Sequence, residues 1–175
     1  SKKGKITLTG NLDAAKFVQN EGDLIFNGTG NRQLSINSSD SKIKNLVINA
    51  TASVKLGSNI TIQGNFTNSG TFDATNTGSP PGYTVTLTND GNHDITGSNT
   101  AAGTKFYNLI CINAGGKQIK FNKKISVHGN LTLQGSSISN LLNISGTDND
   151  AEIYVKSNQG TASGYECKWL GVAEN

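Results

Sequence analysis

ITIQGNF, residues 60–66, has two near-copies in the chain, ITLTGNL at 6–12 and ISVHGNL at 125–131. Each reads Ile, small polar, aliphatic, polar, Gly-Asn, then Leu or Phe. Alternation of period two puts Ile60 and Ile62 on one face of a strand and Thr61 and Gln63 on the other. Gly64-Asn65 then breaks the strand, since Gly and Asn tolerate positive φ cheaply. Phe66 resumes the inward face. The same reading sets Ile6, Leu8 and Leu12 inside, and likewise Ile125, Val127 and Leu131. The phrase is a strand, a corner and the start of the next strand.

Longer stretches repeat as well. KNLVINATASVKLGSNITIQGNF, from Lys44, aligns with YNLICINAGGKQIKFNKKISVHGNL, from Tyr107, which carries two extra residues. Upstream, LIFNGTGNRQLS (24–35) matches VTLTNDGNHDIT (85–96), sharing Gly30-Asn31 and Gly91-Asn92. The period is about 55 to 65 residues and divides the chain at about 6–59, 60–124 and 125–175. Such self-similarity marks a solenoid, in which each unit covers its neighbour's open edge. Strand-like runs recur roughly every 8 to 12 residues, with no 3.6-period stretch long enough for a helix, which excludes helical repeats. The expected fold is all-β: a right-handed parallel β-helix of about eight coils, each of roughly 20 residues, with about three coils per repeat. Two small antiparallel β-sandwich modules are the alternative.

Composition agrees with many tight turns in one domain spanning 1–175. The chain has 21 glycines, only 2 prolines, no methionine and 6% aromatic residues, which suits strands and turns more than helices. A net charge of +3 is too small to imply a polyanion partner. The basic cluster Lys117, Lys120, Lys123 and Lys124 has no aromatic interleaving, so it reads as a solvated face and no nucleic-acid partner is expected. No apolar run approaches the length of a membrane span. Because SKKGKITL opens almost inside one copy of the phrase, the chain reads as a segment of a longer array.

FYNLICINAGGKQIKFNKKISVHGNLTLQGS, residues 106–136, resembles a repeat of long, secreted bacterial surface proteins, in which a FYNL-x-I-N strand leads to an I-x-V-x-G-x-L-x-L strand. Residues 44–71 fit the same pattern. LLNISGTDNDAEIYV (141–155) and YECKWLGVAEN (165–175) resemble the coils that follow such repeats. The resemblance implies a pectate-lyase-like β-helix in an adhesin or surface-layer setting, and it supplies no catalytic residues.

Candidate chemistry is sparse. His128 aligns with Thr9 and Gln63 on the outward side of the strand, and His93 aligns with Arg32 in a turn beside Asp90 and Asp94. Two histidines so placed make a poor metal or catalytic site. Cys111 takes the slot of Ile48 and reads as a small inward hydrophobe. Cys167 alternates with Tyr165 and Trp169 and should face the same way. A bridge between the two would span too many coils, so both are expected as thiols. Asp148, Asp150 and Glu152 alternate and are weak calcium candidates, but EF-hand spacing fails. A hydrolase would need paired carboxylates, and the 12 acidic residues are scattered among turns. No enzyme, cofactor or metal is expected.

Recognition, if any, is expected on loops that leave the solenoid: GSPPGY with Pro81 and Tyr83, and GSNTAAGT with Asn99 and Thr100. Thr84, Thr86 and Thr88 read as ordinary outward strand residues. Seven sequons, at Asn27, Asn37, Asn49, Asn59, Asn65, Asn130 and Asn143, permit glycosylation. The leading expectation is a non-catalytic, extracellular cell-surface protein: a stalk, adhesin or self-assembling lattice or filament subunit. Its expected partner is another copy, or more of the same chain, joined through open β-helix ends, with cell-surface glycans as further partners. A carbohydrate-binding module is the alternative, followed by a polysaccharide lyase or glycoside hydrolase.

Overall fold

A computed structural model of the chain describes residues 4–89, 93–99, 101–113, 118–135, 143–146, 152–155 and 168–170. Coil one holds β1 (Lys5–Leu8) and β2 (Leu12–Ala14), and coil two β3 (Asp23–Phe26) and β4 (Gly30–Ile36). Coil three holds β5 (Asn45–Ile48), β6 (Ala52–Leu56) and β7 (Ile60–Ile62). Coil four holds β8 (Phe66–Asn68), β9 (Thr71–Asp73) and β10 (Thr84–Asn89). Coil five holds β11 (His93–Thr96), β12 (Thr104–Phe106) and β13 (Asn108–Asn113). Coil six holds β14 (Gln118–Asn122), β15 (Lys124–Val127) and β16 (Leu131–Gly135), and coil seven β17 (Asn143–Gly146), β18 (Glu152–Val155) and β19 (Lys168–Leu170).

The strands stack into three sheets. Sheet A runs β1-β3-β5-β8-β11-β14-β17, sheet B runs β2-β4-β6-β9-β12-β15-β18, and sheet C runs β7-β10-β13-β16-β19. Neighbours pair in parallel, as in Leu24 opposite Leu46 and Leu87 opposite Cys111. The fold is therefore a right-handed parallel β-helix. The antiparallel sandwich modules are overturned, since antiparallel pairing among the described residues is confined to the bridges Thr75–Gly82 and Ser98–Lys124.

Two expectations need correction. Five coils, not about eight, carry a strand on all three sides; coils one and two turn their third side with single bridges, Val18 to Lys42 and Ile43 to Ile62. The coils are longer than assumed. Sheet A strands begin at residues 5, 23, 45, 66, 93, 118 and 143, so a coil grows from 18 to as many as 27 residues where excursions leave the sheets. The repeat holds about three coils, as expected, but falls one strand short of a whole number. Its signature phrase joins sheet A to B at β1–β2, C to A at β7–β8 and B to C at β15–β16. Each copy lies eight strand positions after the last, which is two and two-thirds coils, and so sits one corner further round the rod.

Inward side chains form columns along the axis. Leu24, Leu46, Phe66, Ile95 and Phe121 stack in sheet A, and Ile62, Leu87, Cys111 and Leu133 in sheet C, all buried. Phe66, Phe72 and Phe106 meet in the middle with ring centroids 5.0, 5.3 and 5.4 Å apart. Phe66→Ala should cost about 3–5 kcal/mol in denaturant unfolding, because each ring is the others' packing partner.

The glycine of the phrase has a different purpose from the one its sequence suggests. Positive φ falls at Gly22, Gly28 and Gly30, not at Gly64 or Gly129. A Cβ on Gly64 would collide with Asn45 Oδ1 and the Lys44 carbonyl of the coil before, and one on Gly129 with Asn108 Oδ1 and the Tyr107 carbonyl. Gly10 meets nothing within 4 Å, because no described coil lies on that side. Gly64→Ala should therefore lose about 1–3 kcal/mol through overpacking, while Gly10→Ala stays within about 0.5 kcal/mol of the parent. Equal effects in urea titrations would contradict this assignment.

Candidate functional site: corner asparagines and a groove on sheet B

At several described corners the backbone ladder leaves amide groups that take a side-chain partner instead. Asparagine side chains supply it. Asn45 Oδ1 accepts the Asn65 N–H at 2.9 Å, and its Nδ2 donates to Gly22 O and Asp23 Oδ1, each at 3.0 Å. Asn65 Oδ1 in turn accepts the Asp94 N–H at 3.0 Å. On another corner Asn108 Oδ1 accepts the Asn130 N–H at 2.9 Å while its Nδ2 donates to Thr84 Oγ1 at 3.3 Å. Asn11 Oδ1 accepts the Gln33 N–H, and Asn59 Oδ1 the Thr84 N–H. The Asn of NLVI and NLIC thus sits directly beneath the Gly-Asn of the phrase one coil later, which explains why the two strings recur together.

Among the sequon asparagines, Asn59 and Asn65 serve these corner bonds, and Asn49 Nδ2 donates to Asn27 Oδ1 at 3.0 Å. Asn37 and Asn130 are exposed at turns. Asn143 opens β17, in register with Gln118. Of the calcium candidates, Asp148 and Asp150 lie outside the described residues, and Glu152 opens β18 in register with Lys124. Among the described residues no group of three or more His, Cys, Asp or Glu is placed to hold a metal. His93 registers with Ile119 on sheet A; His128 is half-buried, its Nε2 3.3 Å from Ser126 Oγ. The lysines diverge: Lys120 lies on sheet A, Lys123 turns the next corner at φ 60°, and Lys117 falls outside the described residues.

The two loops behave differently. Residues 74–83 leave sheet B as a narrow hairpin, closed by Tyr83 N–H to Ala74 O at 2.8 Å and Asn76 N–H to Pro81 O at 2.7 Å. Pro81 is exposed at its end, and Tyr83 packs against the core at its base. The 97–104 segment instead folds inward. Buried Asn68 donates from Nδ2 to Gly103 O and Thr104 Oγ1 at 2.9 and 2.8 Å, and the Ser98 N–H reaches Thr104 Oγ1 at 2.9 Å. Asn99 and Ala102 are exposed; Thr100 falls outside the described residues. Asn68 registers with Ile48, so strict alternation in FTN marks it as inward, a signal the polar side chain conceals.

Beside the hairpin runs a groove of about 420 Å³ on the outer side of sheet B. Asn11, Asn31, Gln33, Lys55, Asn76 and Tyr83 line it, drawn from four successive coils, together with Arg32. Arg32 donates to the Thr29 and Asn31 carbonyls, so its charge meets no carboxylate there. Sequence reading drew only Tyr83 from this set, because the others come together through coil stacking.

The first coil leaves a different surface. On β1 the Gly4 and Leu8 carbonyls accept from Asp23 and Asn27 of coil two, so the intervening Lys5 and Thr7 amides point to the open side. Ile6 and Val18 there are 41% and 50% exposed.

Cys111 is a free, buried thiol between Leu87 and Leu133, and desolvation pushes its pKa up. Cys167 lies outside the described residues. The native Cys111 thiol stays protonated where an unfolded one ionises, above about pH 8.5. Its contribution to stability is complete below that pH and is lost as pH rises, at about 1.4 kcal/mol per unit. Cys111→Val should remove that component from the pH profile of unfolding, and alkylation of the parent at Cys111 should require denaturant. Compared with known proteins, the chain matches no family model, no curated protein and no solved structure.

Proposed function

We propose that this chain is a non-catalytic structural segment of an extracellular bacterial surface protein, a stalk, adhesin or lattice subunit that extends by strand addition at its ends. The carrying observation is the open side of coil one. It presents the Lys5 and Thr7 amides of β1, which meet no acceptor among the described residues, beside exposed Ile6 and Val18, an edge that templates another parallel coil, of this chain or of a copy. The remaining polar groups support the same reading. Corner asparagines bind coil to coil, and the free thiol of Cys111 is buried between Leu87 and Leu133, where a thiol in an apolar column is inert.

Light scattering on a sizing column, with negative-stain microscopy, tests this reading. The parent chain should associate with rising concentration into end-to-end rods. Thr7→Pro should abolish that association while leaving β1–β3 pairing intact, since the Thr7 amide points to the open side and proline is tolerated on an edge strand. A parent that stays monomeric, or rods that form equally well from the proline variant, would sink the proposal.

A further inference from the structure

The sheet B groove carries chemistry that a self-assembling rod does not need. Four carboxamides, Asn11, Asn31, Gln33 and Asn76, line one wall-to-wall space with Lys55 and Tyr83. Carboxamides both donate and accept, which matches the mixed donor and acceptor character of sugar hydroxyls. Asn11 spends its oxygen on the Gln33 N–H, Gln33 its Nε2 on Ser35 Oγ, and Asn76 its oxygen on the Gly78 N–H. That leaves Asn11 Nδ2, Gln33 Oε1, Asn76 Nδ2 and both ends of Asn31 without a hydrogen bond to any described residue.

Charge narrows the ligand. Lys55 forms no ion pair among the described residues, where the ion pairs are Lys5–Asp23 and Lys16–Asp40. The carboxylate nearest in register, Asp73, turns its Oδ1 to the Thr75 N–H and hydroxyl at 2.8 and 2.6 Å. Arg32 adds a second cation held only by backbone carbonyls, its Nε buried without a partner among the described residues. Shape narrows it further. The lining runs from coil one to coil four, three inter-strand steps of about 4.8 Å or roughly 14 Å along the axis, the length of a short oligosaccharide and not of a single sugar. Tyr83, fixed at the hairpin base, gives the flat apolar surface a pyranose ring needs.

We infer that this groove binds an acidic oligosaccharide lying along the solenoid axis, its carboxylate toward Lys55 and its hydroxyls on the carboxamides. The site is lateral, so it does not depend on whether the rod extends at its ends. A second hollow, near Ser38, Ser41 and Thr84, is lined by uncharged residues and holds no comparable cation.

Nuclear magnetic resonance titration of the intact chain tests the inference with two probes, a β-linked glucuronate tetrasaccharide and its neutral counterpart cellotetraose. The uronate should shift the side-chain amides of Asn31 and Asn76 saturably and bind at least several-fold tighter than the neutral probe. Lys55→Ala should weaken it about tenfold. Lys105→Ala, on the same sheet outside the groove, should leave it unchanged, with unshifted backbone resonances elsewhere showing that both variants fold. Absence of a saturable shift, equal affinity for the two probes, or equal loss in both lysine variants would overturn the inference.

Discussion

Everything in this molecule depends on keeping parallel strands in register from coil to coil. A parallel stack satisfies its backbone groups along the flat sides without help, but corners interrupt the ladder. A hydrogen bond from a corner N–H to the neighbouring coil is worth about 0.5–1.5 kcal/mol net, a modest gain that recurs up the rod. Asn45, Asn65 and Asn108 supply it by offering an oxygen to the coil above, and Asn45 and Asn108 also donate to the coil below. The asparagine-rich composition is therefore a consequence of topology. So is the glycine that accompanies it, because the next coil has to close over that side chain without a Cβ.

Much of the fold was legible because alternation survives where burial is one-sided. Ile60, Ile62 and Phe66 are inward as their spacing requires, and Cys111 is a buried inward residue as its alignment with Ile48 assigns, although it lies on sheet C and Ile48 on sheet A. The coil count was not legible. Nothing in SPPGY or GSNTAAGT states how many residues are withdrawn from the sheets, so an even coil length was assumed. GSNTAAGT reads as a loop leaving the solenoid, yet Thr104 is buried against Asn68, because a short polar side chain does not announce a buried partner. The groove was opaque for a related reason: Asn11 and Asn76 are distant in sequence and meet only once four coils are stacked.

The outer faces show how such a rod stays dispersed along its flanks. Lys5 lies 3.9 Å from Asp23, Asp94 registers beside Lys120, and Asp73 stands between Lys55 and Lys105. Of these neighbours only Lys5 and Asp23 close an ion pair among the described residues, and an exposed pair adds little stability. The value of such neighbours is in mixing signs along each column, which discourages flank-to-flank stacking of flat sheets. Sheet C is the least charged side, with Thr61, Thr86, Ile110 and Thr132 in one outward row.

The corner-by-corner displacement of the repeat bears on valency. In a solenoid whose repeat closes on whole coils, any feature carried by each unit lines up in a stripe, and all its copies meet a flat target together. Here each copy of the phrase sits on the next corner, at β1–β2, β7–β8 and β15–β16. A loop or side chain multiplied with this unit would climb the rod as a spiral staircase, and a planar partner would touch one step in three. A rod of this build favours partners that surround it over a single wall beside it.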